Sequence, residues 1–143
     1  MTAIVVGYVP KPEGRAALRR AAEEAKLRGA RLVVINSERG GRSFDADDAQ
    51  EHEAELDAVR AQLAEAGIEA EVRQLVRGME VADDLIAVAK ESAADFIVIG
   101  LRRRSPVGKL ILGSNAQRIL LDAPCPVLAV KADDGADEAE DTP

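Results

Sequence analysis

The amino-acid sequence predicts an α/β fold, a doubly wound sandwich in which four helices cover both faces of a five-stranded parallel sheet. Two observations lead to this prediction. Short apolar runs alternate along the chain with longer segments of helical periodicity. Neither an internal repeat nor a linker interrupts the 143 residues. We therefore expect one domain over residues 1–132, followed by an acidic disordered tail over residues 133–143.

The first half of the chain is marked by prolines and glycines. Ala3–Val9 is apolar enough for a strand covered on both faces, and Pro10 ends it. Alanine and leucine recur at helical spacing over Glu13–Arg28, with acids early and basic residues late, and Gly29 is the stop. The second predicted strand is the apolar run Arg31–Ser37.

A second long helix is predicted over Asp45–Ala66, because Leu56, Val59 and Leu63 fall on one face. The third predicted strand, Ile68–Val76, alternates apolar and polar residues. Such alternation is typical of an edge strand.

The last predicted elements follow the same order of helix and strand. They are a helix over Glu80–Ser92, a short apolar strand over Asp95–Gly100, a helix over Ser114–Leu121, and a strand over Pro126–Lys131. Proline is tolerated at the first position of a strand.

The predicted topology places two loops in one cleft. Strands separated by helices pair in parallel through right-handed crossovers. With the third strand at an edge, the strand order is 3-2-1-4-5. The winding then reverses between strands 1 and 4, so the loop after Val9 faces the loop after Gly100, where such sheets bind ligands.

Composition narrows the functional classes. Hydrophobic residues make up 47% of the chain and aromatic residues 2%, so the core must consist of Val, Ile, Leu and Ala. The sequence has no apolar run that could span a membrane and no signal-peptide pattern. A single cysteine suits a reducing compartment, and we expect a cytoplasmic protein.

Charge and metal-ligand content argue against two further functional classes, nucleic-acid-binding proteins and zinc-binding proteins. The net charge is -7, but six acids follow Ala132, so the rest of the chain is nearly neutral. Apart from a local arginine cluster there is no basic stripe, and we expect no nucleic-acid binding. One histidine and one cysteine cannot form the usual zinc set.

The segment from Phe96 to Gln117 carries the candidate function. It reads as a strand, an arginine-rich loop and a helix start, and a helix start stabilises phosphate through unpaired N–H groups and the helix dipole. Gly113 lets backbone approach a ligand closely. The alternative is ordinary helix capping, because Ser114 and Gln117 have the spacing of a capping box.

These residues resemble a glycine pattern of the universal stress protein family: glycine, two residues, glycine, nine residues, then glycine with serine or threonine. Here the pattern begins at Gly100, has Arg103 in place of the second glycine, and ends at Gly113 and Ser114. Residues 115–131 also resemble the family's last helix and strand, and the resemblance covers the chain to about Lys131.

The resemblance implies an adenine nucleotide such as ATP, with Mg²⁺ accompanying it, held by the strand ends and the glycine loop. It also implies a homodimer through Val127–Lys131, a short apolar edge strand whose backbone groups a second chain would pair. The nucleotide-binding residues implied by position are Val9, Pro10, Ser37, Ile99, Gly100, Arg102, Arg103, Gly113, Ser114 and Asn115.

Two departures from the family pattern leave alternatives open. Val9 stands where ATP-binding members have an aspartate that accepts from ribose hydroxyls. Arg103 either blocks phosphate or binds it through its guanidinium. The chain is therefore either a nucleotide-binding regulator or a dimeric interaction module without nucleotide. A weak ATPase, or phosphorylation on Ser114, would need a base and a metal ligand that the loops do not show.

Overall fold

The structure is a computed structural model that describes residues 2–38, 46–76, 80–101 and 113–132. Strands and helices alternate as predicted. The strands are β1 (Ala3–Gly7), β2 (Arg31–Glu38), β3 (Ala70–Val76), β4 (Phe96–Leu101) and β5 (Val127–Lys131). The helices are α1 (Pro12–Arg28), α2 (Ala46–Glu65), α3 (Val81–Ser92) and α4 (Ser114–Asp122).

The five strands form one parallel sheet in the order β3-β2-β1-β4-β5, which confirms the predicted topology. In the register of the sheet, Val5 of β1 lies between Val33 of β2 and Ile97 of β4. β3 and β5 are the two edges. The winding reverses between β1 and β4, so their carboxyl ends frame the crevice in which such sheets bind ligands.

Alternating side chains of the strands build a core on each face of the sheet. One core lies under α1 and α2, where Leu56, Val59 and Leu63 are buried as predicted. The other lies under α3 and α4 and includes Leu85 and Ile119. None of the described helices has both the length and the apolar character needed to cross a membrane.

β1 and β3 are each two residues shorter than predicted, and β5 is one residue shorter. β1 ends at Gly7 rather than Val9, and the Val9 carbonyl accepts from the Lys11 N–H at 2.8 Å in a three-residue turn. β3 begins at Ala70 rather than Ile68. The Ile68 N–H instead donates back to the Leu63 carbonyl at 3.0 Å and so terminates α2.

Candidate functional site

A cavity of about 180 Å³ lies at the carboxyl ends of β1, β2 and β4. Its walls are completed by the first turns of α1, α3 and α4, and most of its described lining is apolar. The cavity therefore occupies the crevice that the topology predicts for a ligand.

Four of the ten predicted site residues line this cavity: Val9, Ile99, Gly100 and Asn115. The other six are placed as follows. Pro10 is half-buried beside Val9, and Gly113 and Ser114 are exposed at the start of α4, next to Asn115. The backbone of Ser37 lies in β2, two residues beyond Ile35, which lines the cavity. Arg102 and Arg103 lie outside the described residues.

Close backbone packing brings α1 onto the ends of β1 and β4. A Cβ atom on Gly100 would lie 2.0 Å from the Glu13 carbonyl oxygen, and one on Gly14 would lie 1.9 Å from the Val9 carbonyl oxygen. Gly100 is therefore required for helix–strand contact. It does not turn the chain off the strand, because β4 continues to Leu101.

The start of α4 corrects the capping-box interpretation. Gly113 is the N-cap residue, in an extended conformation, and Ser114 is already the first helical residue. The first helical hydrogen bond runs from the Gln117 N–H to the Gly113 carbonyl at 3.0 Å. The N–H groups of the three residues between them have no acceptor within the helix, which is the arrangement that binds anions.

Asn115 has a structural contact that the sequence did not reveal. Its Oδ1 atom accepts a hydrogen bond of 3.1 Å from the Ala82 N–H in the first turn of α3. An exposed ion pair of 2.6 Å between Arg118 and Asp83 joins the same two helices. These contacts fix the α3 and α4 sides of the cavity relative to each other.

Glu13 is the one charged residue among the described residues that line the cavity. It lies in the first turn of α1, and its Oε1 atom is buried with no hydrogen-bond partner in the described structure. Sequence reasoning did not select it. An acid in a first turn signals only a favourable interaction with the helix dipole.

The end of β1 is held by polar contacts on the other face of the sheet. The Tyr8 carbonyl accepts from Asn36 Nδ2 at 3.0 Å, and the Tyr8 hydroxyl donates to the Glu55 carboxylate. Burial and this carboxylate raise the pKa of the Tyr8 phenol well above its usual range. Asn36 is 1% exposed, and its place in an apolar run gave no signal of this role.

His, Cys, Asp and Glu side chains can ligate a metal ion or act as a nucleophile. Within the described ranges, no group of three or more His, Cys, Asp or Glu residues is arranged to hold a metal ion. Cys125 is partly buried in the core under α4. Burial, with the charge of Asp95, raises the pKa of its thiol and keeps it protonated near neutral pH.

The sequence and the fold both match known proteins. A model of the universal stress protein family matches residues 1–131. A universal stress protein of Mycolicibacterium smegmatis is 47% identical over 128 residues, which cover 90% of this chain and 96% of the relative.

Two solved structures share the fold at substantial identity. A universal stress protein of Archaeoglobus fulgidus has a TM-score of 0.78 and 41% identity, covering 92% of this chain and 99% of its own. A universal stress protein of the same organism, solved in complex with dAMP, has a TM-score of 0.72 and 35% identity, with coverage of 92% and 98%. On the extent of these matches, the chain belongs to the universal stress protein family.

Proposed function

We propose that this protein binds an adenine nucleotide such as ATP or AMP in the cavity at the ends of β1 and β4, and acts as a cytoplasmic regulator. The observation that carries the proposal is the cavity itself, which joins an apolar crevice to the start of α4. The complex of the Archaeoglobus fulgidus relative with dAMP supports the choice of ligand.

The two parts of a nucleotide match two parts of the site. The described cavity, at about 180 Å³, holds only part of a nucleotide, and its apolar walls suit the nucleoside. The phosphates would then lie outside it, over the first N–H groups of α4, which have no acceptor within the helix. Mg²⁺ would arrive bound to those phosphates.

Calorimetric titration of nucleotide-stripped protein with ATP and Mg²⁺ tests the proposal, beside the variant Gly113→Val. A Cβ at Gly113 meets no described atom within 4 Å, so valine should leave the fold intact while its side chain crowds a phosphate. We expect saturable binding by the wild type and a loss of at least about tenfold in the variant. Absence of binding at millimolar nucleotide would refute the proposal.

The second candidate function is a dimeric interaction module that binds no nucleotide. Val9 favours it, because valine at this position just beyond β1 offers no side-chain acceptor for a ribose hydroxyl. β5 supplies the surface, since it is an edge strand in which Ala129 and Lys131 are exposed. Leu121, 82% exposed on the adjacent α4, adds apolar area.

Dimerisation through β5 is tested by Ala129→Pro. The Ile97 N–H donates to the Pro126 carbonyl, and the Ala132 N–H donates to the Leu101 carbonyl. Because every second residue of a parallel strand bonds to the same neighbour, the even-numbered residues of β5 pair with β4 and the Ala129 N–H points away from it. Proline there removes an outward donor without breaking the ladder. Sedimentation analysis should show a wild-type dimer, a monomeric proline variant and a dimeric Ala129→Val control. A monomeric wild type contradicts this assignment.

A further inference from the structure

Glu13 is the only residue with a carboxylate among the described residues that line the cavity. The carboxylate stands on α1, and its Oε1 atom is buried without a hydrogen-bond partner in the described structure. A buried carboxylate oxygen in this state is costly unless a donor reaches it. A ligand that enters the cavity can supply that donor.

We infer that Glu13 accepts a hydrogen bond from a sugar hydroxyl of the nucleotide and favours ligands that carry at least one free 2′- or 3′-hydroxyl. The inference rests on the proposed nucleotide-binding function. Glu13 thereby supplies the side-chain acceptor that Val9, just beyond β1, cannot provide.

The chemistry of the ligand favours a sugar hydroxyl over the other polar groups of a nucleotide. The buried carboxylate oxygen acts only as an acceptor, and a sugar hydroxyl offers it an uncharged O–H donor. The exocyclic amine of adenine is flanked by ring nitrogens that are acceptors themselves, and a carboxylate repels them. Phosphate is repelled outright.

The position of Glu13 separates it from the proposed phosphate site. The Glu13 backbone packs against Gly100 on the α1 side of the cavity. The N–H groups that have no acceptor within the helix lie at the start of α4, and Asn115 and Ala116 form that side of the cavity. A nucleotide can therefore direct its hydroxyls toward α1 and its phosphate toward α4, which keeps like charges apart.

The test compares AMP with 2′,3′-dideoxy-AMP by calorimetry in the wild type, Glu13→Ala and Glu13→Gln. We expect the wild type to bind AMP about tenfold or more tightly than the dideoxy analogue. Glu13→Ala should weaken AMP binding to the level of the analogue and leave binding of the analogue unchanged. Glu13→Gln, which keeps the side-chain volume and one acceptor oxygen, should retain part of the preference.

Glu23→Ala is the matched control, because Glu23 lies on the same helix, is exposed, and does not line the cavity. It should bind both ligands as the wild type does. Equal affinity of the wild type for both ligands overturns the role of Glu13. An equal loss of affinity for both ligands in Glu13→Ala and Glu13→Gln also overturns it. Either result leaves the proposed nucleotide binding intact. If the wild type binds neither, the proposed function fails and this inference fails with it.

Discussion

Tyr8 joins the site to the opposite face of the sheet. Tyr8 is 2% exposed, its hydroxyl donates to Glu55, and it is also among the residues that line the cavity. Arg15 lies 4.0 Å from the same carboxylate. The position of the cavity wall therefore depends on a neutral, hydrogen-bonded phenol.

The raised pKa of Tyr8 predicts a loss of stability in alkali. In the unfolded chain the phenol ionises near pH 10, whereas in the folded protein burial and Glu55 hold its pKa higher. The unfolded state therefore loses its proton first. Because the native state then binds more protons, the free energy of unfolding is unaffected below about pH 10 and falls as the pH rises above it.

Tyrosinate absorbance measures this directly, because Tyr8 is the single tyrosine and the chain has no tryptophan. We expect the ionisation midpoint of the native protein to lie above that of the protein in concentrated urea. Glu55→Gln should lower the native midpoint, because it removes the negative charge beside the phenol. Equal midpoints in native protein and in urea would disprove the pKa shift.

The family resemblance implied Val9, Ile99, Gly100 and Asn115 as site residues, and all four line the cavity. It did not identify Glu13 or Asn36. The roles of both depend on which atoms are buried and paired after folding, and neither an acid in a helix nor an amide in a strand indicates such a role by its residue type. The capping-box alternative placed Ser114 at the N-cap and was wrong, because serine is common both at the N-cap and in the first turn.

At the scale of elements, the contact between α1 and β4 positions the site. Gly100→Ala places a methyl group 2.0 Å from the Glu13 carbonyl oxygen, and backbone cannot yield as a flexible side chain does. We expect a loss of about 1–3 kcal/mol or more in the free energy of unfolding, measured in urea.

Gly113→Ala is the matched comparison, since a Cβ there meets no described atom within 4 Å. It should cost at most about 1 kcal/mol, because alanine is a poorer N-cap residue than glycine but meets no steric clash there. Equal effects of the two substitutions would show that α1 and β4 do not pack as described. The comparison distinguishes a glycine needed for folding from one available to a ligand.

Strand order was predictable because the alternation of Ile68–Val76 marked the third strand as an edge, and the parallel crossovers then gave the order 3-2-1-4-5. The residues at which strands end were less predictable. Whether Val9 extends β1 or joins a turn depends on one hydrogen bond to Lys11, and the sequence LVVINS gives no indication that its asparagine binds the Tyr8 carbonyl.

At the scale of the whole molecule, we expect the acidic tail after Ala132 to contribute nothing to folding. Ala132 is 7% exposed and its N–H donates to Leu101 at 2.7 Å, so pairing with β4 extends to this residue. Truncation after Ala132 should leave the melting temperature unchanged in calorimetry. A large decrease would place the tail within the domain.

The most direct test of nucleotide binding in the cavity is a titration of the nitrogen–proton correlation spectrum with AMP. We expect saturable shifts at the amides of Val9, Gly100 and residues 114–116, with the β3 edge unaffected. The groove between α1 and α2, around Leu18 and Gln62, should also be unaffected. Shifts confined to that groove, or none at millimolar AMP, would contradict the assignment of the site.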